Sequence, residues 1–193
     1  LHDYLEKIDL SSQHLLALIN DILEMSRIES GKVELEFAPA DLCAIFDGIR
    51  DLFSEQMKQK EMSFHVHTSQ VKNRYVWCDI KNLNRVLLNV LSNAYKFTPA
   101  GGTIAASIWE ISTGDPDYGT YEIRIKDNGI GMSKEFAEKM FNAFERERTS
   151  TDSGMQGTGL GLSITKSIID LMGGTIEVLT APGNGTELII RLK

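Results

Sequence analysis

The sequence is short of cysteine, of positive charge and of long apolar runs, and each shortage removes a class of protein. Only two cysteines, Cys43 and Cys78, occur in 193 residues. They form no CxxC pair and no metal-ligand spacing, so neither a disulfide framework nor a cysteine-based metal site is expected. Cys43 lies in the apolar stretch Leu42-Cys43-Ala44-Ile45-Phe46, where a buried free thiol is expected. Unpaired thiols suit a reducing cytoplasm. Twenty Lys and Arg stand against 27 Asp and Glu, a formal net charge of −7. A nucleic-acid surface needs a basic stripe to meet the phosphates, so nucleic acid is not an expected partner. No run reaches the roughly 18 apolar residues of a membrane span, so no membrane contact by these residues is expected. The opening Leu1-His2-Asp3-Tyr4-Leu5-Glu6 is not a signal peptide. Because the sequence begins without Met inside a helical pattern, it reads as part of a longer protein.

What is present is a composition of 42% hydrophobic and 24% charged residues, that of a globular domain. Residues 1 to about 30 carry a heptad-like stripe of Leu1, Tyr4, Ile8, Ser11, Leu15, Leu18, Ile22 and Met25. Leu5, Leu16, Ile19 and Leu23 widen it beyond a two-stranded seam, toward the face of a four-helix bundle. The same stripe also fits a helix packed on its own domain. Gly31 is a natural C-terminal stop. Beyond it the pattern predicts a strand over Val33–Phe37, a helix from about Ala40 to Lys60 and strands over Ser63–Thr68 and Tyr75–Trp77. Asp79 is expected to cap the helix that follows. Strands are expected over Thr103–Ile111 and Thr120–Lys126 about a polar turn, Ser112–Gly119. Helices are expected after Ser133 and from Thr158 to Met172. A hairpin over Thr175–Thr180 and Thr186–Leu192 should turn at Pro182-Gly183-Asn184-Gly185. This order implies an α+β fold, a two-layer α/β sandwich with one mixed, mainly antiparallel sheet covered by helices on one face. One long helix precedes it.

Three segments carry the chemistry: Asn89-Val-Leu-Ser-Asn93-Ala94-Tyr95-Lys96-Phe97, Asp127-Asn128-Gly129-Ile130-Gly131-Met132 and Gly157-Thr158-Gly159-Leu160-Gly161-Leu162. At 100° per residue, Asn82, Arg85, Asn89, Ser92, Asn93 and Lys96 fall within about 100° of one helix face. The opposite face is apolar. Asn89 and Asn93 offer amide oxygens one turn apart, a donor type that suits a hard cation such as Mg²⁺, and Lys96 can neutralise phosphate as a point charge. Asp127 ends a strand, and Gly129 and Gly131 allow a close backbone turn; read alone, Asp-Asn-Gly is also a hairpin turn. Gly157, Gly159 and Gly161 introduce a helix whose first N–H groups can meet an anion. Residues 145–156 are polar, long and poor in core residues, the composition of a lid or a disordered loop.

In this order and at these separations, the segments resemble the N box and the two glycine boxes of sensor histidine kinases. That family belongs to the wider superfamily of gyrase, Hsp-ninety chaperones and MutL. Leu18-Ile19-Asn20-Asp21-Ile22-Leu23-Glu24-Met25-Ser26-Arg27-Ile28-Glu29-Ser30-Gly31-Lys32 is similar to a kinase's second dimerisation helix and its exit. The resemblance implies two domains: residues 1–32, part of a dimerisation and phosphotransfer domain, and 33–193, a catalytic ATP-binding domain. It implies ATP, ADP and Mg²⁺ as ligands, with Asn93 on the Mg²⁺ and Asn89 a second candidate. The implied nucleotide contacts are Asn93, Lys96, Phe97, Asp127, Gly129, Gly131, Met132, Phe141, Gly157, Thr158, Gly159, Leu160, Gly161 and Thr186. Asp127 is expected to accept from the adenine amino group, which guanine lacks at that position. Phe141 and Phe144 match the family's F box, and Arg146 or Arg148 is expected to reach the terminal phosphate. Asn89, Asn93, Lys96, Arg146 and Arg148 are therefore the expected catalytic set.

The implied reaction transfers the ATP γ-phosphate to a histidine on a dimerisation helix, for relay to an aspartate on a response-regulator receiver domain. Neither His2 nor His14 has the family's His-Glu-Leu-Arg-Thr-Pro context, so the acceptor is expected outside these residues, within a homodimer of the full-length kinase. His65 and His67 share a strand face and are expected to face solvent. A gyrase-type hydrolase would place a glutamate general base one turn before the Mg²⁺ asparagine. This sequence has Asn89 there. A nucleotide-binding signalling module without turnover is the remaining alternative. The resemblance implies a cytoplasmic piece of a protein that an inner-membrane anchor elsewhere could hold.

Overall fold

In the computed structural model the described residues are 2–111, 118–145 and 158–193. The chain order is α1 (His2–Glu29), β1 (Ala38–Asp41), α2 (Leu42–Gln59), β2 (Ser63–Gln70), β3 (Tyr75–Cys78), α3 (Ile80–Phe97), β4 (Thr103–Ile111), β5 (Thr120–Asp127), α4 (Lys134–Ala137), α5 (Gly161–Leu171), β6 (Thr175–Thr180) and β7 (Thr186–Leu192). The five-stranded sheet runs β2-β4-β5-β7-β6. Only the β2–β4 pair in it is parallel. The α+β, two-layer expectation holds, and a small antiparallel ribbon, β1-β3, adds to the single expected sheet.

Strand alternation produces the two layers. Inward residues such as Ile104, Ala106 and Ile108 of β4, Ile123 and Ile125 of β5, and Leu188 and Ile190 of β7 are buried. They meet Phe46, Ile49, Phe53 and Met57 of α2, six apolar residues of α3, and Ile164, Ile168 and Ile169 of α5. Each fully buried aliphatic chain contributes about 1.5–3 kcal/mol. The outward residues form an ionic lattice. Glu122 pairs with Arg124 and Arg191, Arg191 reaches Glu177, and Arg124 reaches Glu187 while lying over the Trp109 ring. His65 and His67 face solvent on β2, rings stacked 6.3 Å apart.

Four expectations move. The strand expected over Val33–Phe37 does not form: Val33 and Leu35 are half-buried and Glu34 and Glu36 exposed, but no ladder joins them. Pairing with β3 falls instead to Ala38–Asp41, an edge position that tolerates Pro39, and Glu36 N–H donates to Asp79. The helix expected from about Ala40 starts at Leu42, because Asp41 caps it by accepting from Cys43 and Ala44 N–H. The helix expected from Thr158 starts at Gly161, because Gly159 has φ +73°, outside helical space. Cys43, expected buried, is half-exposed on α2. Most of the expected turn Ser112–Gly119 lies outside the described residues.

The α3 face that should meet water is not uniform. Asn82 is buried and donates to the capping Asp79, whose carboxylate also accepts from Asn82 N–H. Burial pushes the Asp79 carboxyl up, but these hydrogen bonds and that from Glu36 prevail and hold it below its usual range. At the other end, Lys60 Nζ donates to the Tyr95 and Thr98 carbonyls at 2.7 and 2.6 Å, closing the helix C-terminus. Helix α1 docks by its last turns. Met25 and Ile28 pack on the core, and Glu24 pairs with Arg85 of α3.

Candidate functional site

Between α3, β5 and α5 lies a cavity of about 320 Å³, within the range of small-ligand sites. Helix α3 contributes Asn89, Asn93, Lys96 and Phe97, and β5 with the following turn contributes Asp127, Gly131 and Met132. Thr158, Gly159 and Gly161 come from the approach to α5, and Thr186 from β7. Three sequence segments expected to act together thus line one space. Gly129 and Leu160 do not line it: Gly129 N–H holds Asp127 from behind, and Leu160 is buried in the core. Phe141 packs half-buried against the core. Arg146, Arg148 and Gly157 lie outside the described residues.

Asp127 is 8% exposed, and its Oδ1 accepts from Gly129 N–H at 2.8 Å and Thr186 N–H at 3.2 Å. Burial pushes its carboxyl above the ordinary value, and the two amides only partly offset that. The backbone around it is pressed close. A Cβ on Gly131, which has φ +65°, would lie 2.0 Å from the Ala181 carbonyl oxygen, so only glycine fits. Thr180 Oγ1 accepts from Met132 N–H at 3.0 Å and lies 3.1 Å from Thr186 Oγ1, tying the turn after β5 to the β6–β7 hairpin.

Asn89 spans the cavity wall. Its Nδ2 donates to the Gly161 carbonyl at 3.3 Å and Thr165 Oγ1 at 3.4 Å. The position therefore calls for a donor: a glutamate there would face a carbonyl oxygen that can only accept. Lys96 Nζ lies 5.0 Å from the Phe97 ring centroid, its charge directed along the cavity edge. Helix α5 has no side-chain cap at Leu160 and no acid in its first turn, which leaves its N-terminal amides to an outside acceptor.

No group of three or more His, Cys, Asp or Glu among the described residues could hold a metal ion by itself. The amides at Asn89 and Asn93 instead suit an ion that shares its shell with phosphate oxygens and water, as Mg²⁺ does. Sequence reasoning missed the apolar lining of Ile125, Ile130, Phe136, Met140 and Leu188, together with Asp21 and Glu145. Ile125 and Leu188 alternate along strands and read simply as core, while Ile130, Phe136 and Met140 lie in and after the turn that follows β5, where no period marks a lining face. Asp21 sits 137 residues from the threonine it meets, and no local pattern signals that contact.

A family model described as Histidine kinase-, DNA gyrase B-, and HSP90-like ATPase matches residues 78–193. The chain belongs to this family. Similar proteins include the Non-motile and phage-resistance protein of Caulobacter vibrioides, 36% identical over 189 residues that cover 98% of the chain and 22% of that protein. The Circadian input-output histidine kinase CikA of Synechococcus elongatus is 33% identical over 190 residues, covering 97% of the chain and 24% of CikA. Full-length ShkA, solved in complex with AMPPNP, superimposes with a TM-score of 0.84 at 27% identity, covering 99% of the chain and 38% of ShkA. The chain spans less than a quarter of the curated relatives it matches here. It is an ATPase domain of the histidine kinase type, preceded by one long helix.

Proposed function

We propose that this chain is the catalytic part of a two-component sensor histidine kinase, with residues 1–32 as the second dimerisation helix and 33–193 as the ATP-binding domain. It binds Mg²⁺-ATP in the cavity of α3, β5 and α5. The γ-phosphoryl group then passes to an imidazole nitrogen on a dimerisation helix outside these residues: the P–O bond to the β-phosphate breaks, an N–P bond forms, and ADP leaves. Relay to an aspartate on a response-regulator receiver domain follows. The observation that carries this reading is the convergence of the N box, Asp127 and the α5 N-terminus on one cavity.

Each group has a task in positioning and charge stabilisation, which dominate phosphoryl transfer. With Oδ1 of Asp127 occupied by two backbone amides, Oδ2 is left to accept from the adenine amino group. The first amides of α5, at Gly161, Leu162 and Ser163, and the Lys96 ammonium receive phosphate oxygens. Asn93, with Asn89 beside it, supplies the amide oxygen for Mg²⁺, whose charge would offset that of the phosphates. On sequence alone, Arg146 or Arg148 completes the set. The donor role of the Asn89 amide argues against a water-activating carboxylate and so against the gyrase-type hydrolase. The AMPPNP bound by ShkA supports nucleotide as the ligand class. Among the described residues no helix is long and apolar enough to cross a membrane; any anchor belongs to other parts of the full-length kinase.

Incubation with radiolabelled ATP and a separate fragment bearing the kinase's own acceptor helix tests the reading. The fragment should acquire an acid-labile, alkali-stable label, and Asn93→Ala should abolish it. Self-labelling at His14 would overturn the division of labour. Steady ATP hydrolysis without a labelled partner would favour the hydrolase.

A further inference from the structure

The cavity is not built by the ATPase domain alone. Asp21, two-thirds of the way along α1, lines it. Its Oδ2 accepts from Thr158 Oγ1 at 2.9 Å, and the same hydroxyl oxygen accepts from Leu160 N–H at 3.2 Å. A carboxylate from a different helix thereby serves the uncapped N-terminus of α5 through a single hydroxyl. This is the position at which a helix N-terminus attracts anions.

Among the described residues Arg85 feels the charge of Asp21, but that guanidinium already pairs with Glu24, one turn along α1 from Asp21. Asp21 and Glu24 thus both act on one guanidinium, and the cavity lining itself holds three acids, Asp21, Asp127 and Glu145, the last with Lys139 at 3.7 Å. Among the described lining residues the cation is Lys96, on the far end of α3 from Arg85. A triphosphate entering this space meets a fixed negative charge on the α1 side.

We propose that Asp21 is a residue of the nucleotide pocket that stands in for a phosphate, so that docking of α1 and binding of the ATP phosphates oppose each other. The inference rests on the nucleotide reading above and adds to it the element that regulates the site. With α1 docked, its carboxylate holds Thr158 and complements α5. When the phosphates arrive they take over the α5 amides, and repulsion weakens the hold of α1 on this edge. Linkage makes the effect reciprocal: whatever loosens α1 tightens ATP, by the same factor. Asp21 acts here through Thr158 and α5, as a positioning residue.

Calorimetry on the 193-residue chain with Mg²⁺-ATP and with adenosine separates this from a general structural effect. Asp21→Asn keeps an acceptor for Thr158 but removes the charge. It should tighten Mg²⁺-ATP about five- to tenfold, with the gain shrinking at high salt, and leave adenosine unchanged. Glu24→Gln, which loosens α1 but keeps the pocket carboxylate, should tighten ATP by less. Hydrogen exchange over residues 18–28 should quicken when Mg²⁺-ATP saturates the wild-type chain. Equal tightening of ATP and adenosine would overturn the phosphate competition, as would weaker or unchanged ATP binding by Asp21→Asn, or protection of α1 by ATP. A wild-type chain that binds neither ligand would instead remove the nucleotide reading itself, and this inference with it.

Discussion

Helices α1 and α3 carry apolar faces of similar pattern, and only one of those faces is fully covered within the chain. The 18 residues of α3 place Leu83, Val86, Leu87, Val90, Leu91 and Ala94 in the core. Helix α1, of 28 residues, leaves Tyr4, Leu5, Ile8, Leu15, Leu16, Ile19, Ile22 and Leu23 exposed, and among its described side chains only Met25 and Ile28 near its end join the core. Periodicity thus states which face leaves water, while the covering layer is a separate fact. For α3 that layer is the sheet. For α1, an exposed apolar stripe of this length marks an interaction site, which accords with the dimerisation role proposed above. The outer face of the five-stranded sheet sharpens the contrast, since it also meets solvent but does so with the Glu122–Arg191 lattice.

The largest test of this difference is truncation on the two helices. Leu87→Ala should cost about 2–5 kcal/mol in urea unfolding, because a 1% exposed side chain leaves a cavity. Leu15→Ala, 58% exposed, should stay within about 0.5 kcal/mol in the monomer. Comparable losses at both sites would mean that α1 is covered in solution by something within the same chain.

The polar side of α3 and its neighbour β5 should separate binding from stability. Asp127→Asn keeps the acceptor oxygen but not the charge, and should weaken ATP by about 1–3 kcal/mol while removing the preference over GTP, read by calorimetry. Burial raises the Asp127 carboxyl. An adenine contact that needs the anion should therefore weaken on acidification from a higher pH than an ordinary aspartate would give. An acid limb that is the same in Asp127→Asn would break the assignment.

The capped start of α3 is a third point of contrast. Asp79→Ala removes the acceptor of the Asn82 and Glu36 amides and should lower stability by about 0.5–2 kcal/mol, read as a fall in Tm. The smallest effect belongs to the outer sheet face. Burial pushes the Glu122 carboxyl up, yet the Arg124 and Arg191 guanidinium groups hold it below its ordinary 4.5. A group depressed on folding adds stability above its unfolded value and loses it as pH falls through the folded one. Glu122 itself is buried, but Arg124 and Arg191 are 40% and 36% exposed and keep Glu187 and Glu177. Glu122→Gln should therefore cost about 1 kcal/mol near neutrality and flatten the decline of Tm below pH 4.5. A Tm profile unchanged in acid would show the lattice to be ornamental to stability.

Much of this was legible locally. The β6–β7 hairpin falls on its expected residues because the strands are adjacent in sequence and Pro182-Gly183-Asn184-Gly185 announces the turn. Asp79 as a cap and the apolar face of α3 needed only the helix period. What failed depended on distant partners. Residues 33–37 alternate as a strand should, but β3 pairs with the next four residues, Ala38–Asp41, and alternation carries no information about register. The start of α5 moved because one glycine took a left-handed turn. Of the site, the glycines and amides advertise themselves by residue type, whereas Asp21 looks like any solvated acid on an amphipathic helix until the fold brings Thr158 to it.

The order of strands also bears on how the protein is made. β7, the last of the seven strands in chain order, lies between β5 and β6 in the sheet. Until it emerges, one whole edge of β5 has unpaired amides and carbonyls, and Asp127 lacks the Thr186 amide that fixes its carboxylate. A nascent chain can thus display the N box and first glycine box without being able to bind nucleotide. During that interval the open β5 edge is a template for wrong pairing, and occupancy by chaperones rather than by ATP should govern the yield of folded domain.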